Sequence, residues 1–256
     1  MPTWDPNQYL KFADHRLRPA LDLMAQIPLQ APRTVYDLGS GPGTVTRMLA
    51  ERWPTARVTG IDSSPDMLAK ARAEAPRVRF EQADINDWSP PARADLIFSN
   101  ATLHWLDDHA RLLPQLCAHV APGGVLAIQM PYNQTSPSHT LMESAAADGP
   151  WQKRLGAVRQ AYQSLESVER YYQILAPVTR RIDIWQTEYL HILTGDNPVV
   201  GWTKGTALRP YLDALEEPER GQFLAAYEKR IAAAYPKQAD GNTLLPFRRI
   251  FFIAEL

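Results

Sequence analysis

Residues Thr34-Val35-Tyr36-Asp37-Leu38-Gly39-Ser40-Gly41-Pro42-Gly43 restrict this chain more than any other stretch. A short β-rich run ends on an acid, breaks into three glycines on alternate positions, and resumes at Thr44 as a helix-compatible segment. A turn this tight needs glycine, because the backbone passes where a Cβ would clash or where φ is positive. Bare backbone also lets main-chain N–H groups and the helix N-terminus approach a ligand closely. One glycine would serve an ordinary strand–turn–helix connection. An acid followed by three alternating glycines points to a ligand loop.

The flanking segments repeat one plan. Ahead of the loop, Leu17, Ala20, Leu21, Leu23, Met24 and Ile27 recur at helical spacing, and Pro28 and Pro32 end that helix. Beyond it, residues 44–53 read as a helix stopped by Pro54, and residues 57–62 as a second strand again ending on an acid. Ser63-Ser64-Pro65-Asp66 supplies an N-cap with proline near the first helical position, and the helix continues to Glu74. Strands are expected at 78–81, 94–100 and 125–130, with a helix over 107–120 and a turn at Pro122-Gly123-Gly124. Short apolar strands alternating with helices make βαβ units, hence a parallel sheet covered on both faces. Ligands on such sheets lie outside the carboxyl ends of the strands. Asp37, Asp62, Asp84 and Asn100 all fall at those ends.

Past Pro131 the alternation stops. Residues 132–178 and 198–235 are largely helix-compatible, while a period of two returns at 181–193 and a β-rich run closes the chain at 244–254. Pro246 cannot donate a ladder bond, so the first part of that last strand is expected at an edge or irregular. The expectation is an α/β chain with a mostly parallel seven-stranded sheet, helices on both faces and a helical lobe. One domain over 1–256 is expected, with a helical cap at 1–30, a core at 31–130, helical insertions at 131–180 and 196–240, and last strands at 181–193 and 244–254.

Composition narrows the function classes. Apolar residues make up 45% and charged residues 21% of the 256, with a formal net charge of −1, which lacks the basic balance of a nucleic-acid surface. Cys117 is the only cysteine, which excludes intramolecular disulfides and cysteine-based zinc sites. No apolar run reaches the roughly 20 residues that span a bilayer. Met1 to Pro6 carries no basic start followed by an apolar core, so no secretory signal is read there. A cytoplasmic protein without metal, nucleic-acid or membrane partners is expected.

Asp62 is placed to accept from both ribose hydroxyls of a nucleoside, which suits a dinucleotide and an adenosine-type cofactor alike. The loop separates the two. Dinucleotide enzymes favour Gly-x-Gly-x-x-Gly, whose amides hold a pyrophosphate. Here the glycines alternate, Pro42 has no N–H, and Asp37 precedes them. Asp37 would repel a pyrophosphate and attract an α-amino group. A cofactor with an adenosine end and an amino-acid end fits these charges better, and S-adenosyl-L-methionine is that molecule. On these residues alone a dinucleotide-dependent oxidoreductase, a non-catalytic adenosyl-binding protein and methyltransferases of several substrate classes stay open.

The run from Asp37 to Gly43 resembles the first motif of class I S-adenosylmethionine-dependent methyltransferases. Gly60-Ile61-Asp62-Ser63-Ser64, Gln82-Ala83-Asp84-Ile85, Asn100-Ala101-Thr102-Leu103-His104-Trp105 and Pro122-Gly123-Gly124 resemble that family's later landmarks. Outside the core, Trp4 through Pro19, Gln129-Met130-Pro131, Asp183-Ile184-Trp185-Gln186-Thr187 and Gly205-Thr206-Ala207-Leu208-Arg209-Pro210-Tyr211-Leu212 resemble the members that methylate trans-aconitate. Tyr132-Asn133-Gln134-Thr135 departs from their pattern, and residues 162–175 follow it loosely.

The resemblance implies a Rossmann-like class I methyltransferase fold, with S-adenosyl-L-methionine leaving as S-adenosyl-L-homocysteine. Its cofactor contacts would be Arg18, Asp37, Leu38, Gly39, Gly41, Gly43, Asp62, Ser63, Met67, Asp84, Ile85, Asn100 and Ala101. Asp37 would meet the amino-acid end, Asp62 the ribose, and Asp84 with the Ile85 amide the adenine. The substrate would be a tricarboxylate esterified on one carboxylate, held by Tyr9, Arg16, His104, Trp105, Tyr132, His139, Arg209, Tyr211 and Arg248. With an ordinary pKa near about 4, a carboxylate is already ionised at neutral pH, so no general base is expected. A monomer is expected.

Overall fold

The strand before the glycine loop sits at the centre of the sheet. β1 (Thr34–Leu38) is buried in all but its first residue, as a strand covered on both faces must be. It pairs with β2 (Arg57–Asp62) on one side and β4 (Ala94–Asn100) on the other. β3 (Arg79–Gln82) adds outside β2, and β5 (Val120–Pro131) outside β4, all in parallel. β7 (Thr243–Glu255) joins β5 antiparallel and β6 (Arg181–Leu193) takes the far edge, giving the order β3-β2-β1-β4-β5-β7-β6. The chain winds outward one way from β1 through β2 to β3, then reverses at β4. That reversal is where open α/β sheets leave a crevice at their carboxyl ends. The structure, a computed structural model, describes residues 13–161 and 165–256.

The helices follow their local signals. α1 (Ala13–Ala25) buries Ala20, Leu23 and Met24, and the Arg52 guanidinium caps its end by donating to the carbonyls of Met24 and Ile27. α2 (Thr44–Arg52) buries Thr46 and Leu49. α3 (Pro65–Glu74) starts on Ser64, whose hydroxyl accepts from the Met67 N–H, with Pro65 in the first turn. α4 (His109–Ala118) is shorter than the expected 107–120, because Asp108 turns into the left-handed region at φ +52 and accepts from the Arg111 N–H instead of continuing the helix.

Two strand expectations change. Pro122-Gly123-Gly124 is not a turn ahead of β5 but an irregularity inside it. The register moves from Ala94↔Val120 to Leu96↔Val125, so β4 advances two residues while β5 advances five. Gly123 takes φ +79 there, and its N–H donates to the Leu256 carbonyl at 2.8 Å. β7 is an inner strand. Its β5 pairing covers Arg249–Glu255 only, so the part around Pro246 has left β5, in keeping with a residue that cannot donate.

The chain divides into two compact units. One holds Arg16–Pro131, Glu166–Thr187 and Arg249–Leu256, and so β1 to β5 with their helices. Within it, α7 (Val168–Leu175) buries Tyr171 beneath Phe252, ring centroids 4.9 Å apart. The other holds Tyr132–Leu165 and Glu188–Arg248. Its helices are α5 (Pro137–Ala147), α6 (Gln152–Ala161), α8 (Pro198–Lys204), α9 (Arg209–Asp213) and α10 (Glu219–Ala234). They surround a cluster including Trp151, Trp202, Tyr211, Phe223, Tyr227 and Phe247. Among the described residues no helix is long and apolar enough to cross a bilayer.

Candidate active site

The glycine loop leaves the carboxyl end of β1 with Gly39, Gly41 and Gly43 at φ +76, +53 and +84. Two of the three also admit no side chain. A Cβ on Gly39 would lie 2.1 Å from the Thr102 side chain, and one on Gly43 would lie 2.8 Å from the Phe80 ring. At Gly41 the space is open. The strand–loop–helix path therefore comes from positive φ at three places and close packing at two.

The loop amides are turned inward, not toward a ligand as the sequence suggested. Gly39 and Ser40 both donate to the Ile61 carbonyl, at 2.7 and 2.9 Å, and Gly43 donates to the Ser40 carbonyl at 3.0 Å. Gly41 donates to Asp62 Oδ2 at 2.8 Å, and Pro42 has no proton to give. A pyrophosphate site depends on outward-facing amides at this place. Residues 39–43 offer none, which argues against a dinucleotide.

Two carboxylates flank the loop. Asp37 is 2% exposed and accepts from the Thr46 hydroxyl at 2.6 Å through Oδ2. Burial raises its pKa to about 7, the Thr46 bond opposes that, and the nearby Asp62 charge adds to it. Asp62 is half-buried. Its Oδ2 takes the Gly41 N–H and its Oδ1 the Ser64 N–H at 2.9 Å, so one carboxylate ties the glycine loop to the start of α3.

Apart from Arg18, the remaining cofactor candidates lie at or shortly past the ends of β1 to β4 in the same unit. Leu38 is buried below the loop, and Met67 is buried in the first turn of α3. Ser63 is exposed, its carbonyl accepting from the Gln82 side chain at 3.2 Å. Asp84 is exposed after β3 and uses Oδ1 to cap a turn, accepting from the Asn86 N–H at 2.9 Å and side chain at 3.0 Å. Ile85 beside it is buried. Asn100 ends β4 with Oδ1 buried and without a hydrogen-bond partner among the described residues, and Ala101 adopts φ +53. Arg18 is exposed on α1, 3.9 Å from Asp22.

Sequence reasoning missed the groups that hold this arrangement. Thr102 donates at 3.3 and 3.1 Å toward the carbonyls of Gly39 and Asn100 while filling the space a Gly39 side chain would need. Ser99 donates to the Leu38 carbonyl at 2.9 Å. His109 fixes the short turn Leu103–Trp105 through an Nε2–H donated to the Leu103 carbonyl at 2.9 Å, with Nδ1 meeting the Tyr171 hydroxyl at 2.8 Å. The first turn of the helix after the loop carries two hydroxyls, Thr44 and Thr46, and the sequence does not say which of them meets Asp37.

The substrate candidates are distributed over both units. His104 and Trp105 lie on that turn after β4, rings 4.7 Å apart, with Trp105 49% exposed. Tyr9 lies outside the described residues, and Arg16 is on the first turns of α1. In the other unit, Tyr132 follows β5 and donates its N–H to the Arg248 carbonyl at 2.8 Å. The exposed Arg248 side chain lies 3.6 Å from Glu188. Nδ1 of His139, in the first turn of α5, is 3.1 Å from the Ser138 hydroxyl, and burial pulls its pKa down to about 4. Arg209 begins α9, its Nε 3.5 Å from Asp213. Tyr211 is fully buried, its ring stacked on Phe223 at 6.0 Å.

Residues 35–124 match the family described as a methyltransferase domain. Over 254 residues the chain is 53% identical to the trans-aconitate 2-methyltransferase of Azoarcus sp. (strain BH72), covering 99% of each. It is 49% identical to that of Rhodopseudomonas palustris (strain BisB18), again over 99% of both. Among solved structures, the YcgJ protein of Bacillus subtilis matches with a TM-score of 0.61 at 13% identity, over 92% of this chain and 97% of that one. Phosphoethanolamine N-methyltransferase 2 of Haemonchus contortus, solved with S-adenosyl-L-methionine, matches at 0.56 and 18% identity, over 93% of this chain and 52% of that one. Both structural likenesses speak to the fold.

Proposed function

The chain belongs to the trans-aconitate 2-methyltransferase family, and from that we propose that it methylates one carboxylate of trans-aconitate, using S-adenosyl-L-methionine and releasing the monomethyl ester with S-adenosyl-L-homocysteine. The observation that carries this reading is 53% identity in a comparison that spans 99% of the chain, and so runs well beyond the glycine loop and its sheet.

The residues suit the cofactor. A buried carboxylate at Asp37 complements an ammonium group, and Asp62 retains lone pairs for a ribose beyond the two amides it accepts. Space beside Gly41 lets a ligand approach the backbone, while the inward amides leave no cradle for phosphate. Leu38, Gly39, Gly43, Ser63, Met67, Asp84, Ile85, Asn100, Ala101 and Arg18 complete the proposed contacts. When bound, the cofactor supplies a methyl carbon whose bond to sulfur is weakened by the sulfonium charge.

The chain's own task is to bind, orient and dehydrate. An ionised carboxylate oxygen already has the electron pair that the reaction needs, so no side chain takes a proton. Holding that oxygen in line with the methyl can supply roughly 7–11 kcal/mol of the barrier. Arg16, Arg209 and Arg248 are the proposed partners for the other carboxylates, since a guanidinium grips a carboxylate through two parallel bonds. Tyr9, Tyr132, His139 and Tyr211 are proposed beside them, with His104 and Trp105 over the reacting carbon. The helical insertions 131–180 and 196–240 are the proposed substrate lobe of a single cytoplasmic, monomeric enzyme.

The test is incubation with S-adenosyl-L-methionine and trans-aconitate, followed by mass spectrometry for the monomethyl ester. Citrate, cis-aconitate and isocitrate serve as competing acids. Ester formed fastest on trans-aconitate supports the assignment; equal turnover of all four, or none, removes it.

A further inference from the structure

We propose that Thr46 is a positioning residue for the amino-acid end of the cofactor, committing one oxygen of Asp37 so that the other meets the ammonium group as an anion. The inference rests on the assignment of Asp37 made above. Thr46 is wholly buried in the first turn of α2, and Asp37 is buried in β1, yet their side chains come together at 2.6 Å across the glycine loop. A buried carboxylate with one short hydroxyl bond is held in one rotamer. Among the described residues only Oδ2 of that carboxylate takes a hydrogen bond, which leaves Oδ1 to face a ligand.

Charge makes the hydroxyl matter more. Asp37 has Gly60 of β2 and Phe98 of β4 as its sheet neighbours, and neither carries charge. The groups acting on it are Thr46 from α2 and Asp62 from the end of β2. Burial and Asp62 both favour the protonated acid, and the Thr46 hydroxyl favours the carboxylate. A protonated Asp37 would present a neutral group to an ammonium. The Thr46 bond keeps the site in its binding form near neutral pH, a role that neither a methyl nor a hydrogen could fill.

The experiment is calorimetry of S-adenosyl-L-homocysteine and of 5′-methylthioadenosine, which lacks the amino-acid end, between pH 5.5 and 8.5. Wild type, Thr46→Val, Thr46→Ser and Asp37→Asn are compared. Wild-type affinity for S-adenosyl-L-homocysteine should rise with pH through the Asp37 titration, while methylthioadenosine shows no such rise. Thr46→Val should move that rise to higher pH and weaken S-adenosyl-L-homocysteine about tenfold at pH 7, the scale of losing a hydrogen bond to a charged group. It should leave methylthioadenosine unchanged, and Thr46→Ser should restore the wild-type profile. Equal weakening of both ligands by Thr46→Val, or an unmoved pH profile, overturns the proposal in favour of a packing role. A flat wild-type profile with Asp37→Asn harmless would instead remove the Asp37 assignment itself.

Discussion

Three glycines in one loop look interchangeable until each is asked what a methyl group would meet. Gly39 faces the Thr102 side chain at 2.1 Å as well as needing φ +76, whereas Gly41 needs only its φ of +53. Gly39→Ala should therefore cost at least about 2–3 kcal/mol, from strain plus a forced shift of Thr102. For a chain of this size that lowers the melting temperature by about 5–10 °C. Gly41→Ala should cost about 1 kcal/mol, the price of a left-handed alanine. It should still weaken S-adenosyl-L-homocysteine, because its methyl enters the open space beside the loop. Scanning calorimetry and titration of the two variants check this; equal melting points would mean that Thr102 is not what demands glycine at position 39. The sequence marked Asp37, Asp62 and the glycines because strand ends and turn residues leave local patterns. It could not show Thr46 and Thr102, whose importance lies in contacts with residues far along the chain or across a loop.

At the scale of elements, a period of two or of 3.6 revealed most strands and helices. Strand order was beyond it. The same alternation describes β7 whether it lies at an edge or between β5 and β6, and its inner position follows from pairing. Pro122-Gly123-Gly124 has turn chemistry, yet β4 continues past it as a partner, so the residues become a bulge within β5. α9 shows how an element can divide its work. Tyr211 turns into the apolar cluster, while Arg209 on the same short helix keeps a partly exposed guanidinium near Asp213. Arg209→Ala should raise the KM for trans-aconitate roughly tenfold or more, with S-adenosyl-L-homocysteine affinity within about twofold of wild type. Initial-rate kinetics beside calorimetry check it, and the reverse pattern removes Arg209 from substrate binding. Tyr211→Phe should test packing against chemistry at the neighbouring position, since the ring it leaves behind still stacks on Phe223.

For the whole molecule, acid and base pull on the two units in opposite senses. Asp37 has its folded pKa raised from 3.8 to about 7, so folding favours its neutral form. Its contribution is complete below pH 3.8 and is lost as pH rises toward 7. His139, in the other unit, has its folded pKa lowered from 6.5 to about 4. Its contribution is complete above pH 6.5 and is lost as pH falls toward 4. Melting curves from pH 4 to 7 should accordingly respond to Asp37→Asn and His139→Asn with slopes of opposite sign: the first variant gains relative stability toward pH 7, the second toward pH 4. Matching slopes would contradict the burial assigned to one of the two groups.

The inward-turned amides of residues 39–43 also bear on turnover. Each of those N–H groups has its acceptor before any ligand arrives, so this loop does not need to be ordered by binding. An N–H donor would not in any case tell reactant from product, which differ by a methyl group and the positive charge it gives the sulfur. Discrimination at release falls to the oxygens and rings that surround that sulfur, and not to the amides of the loop.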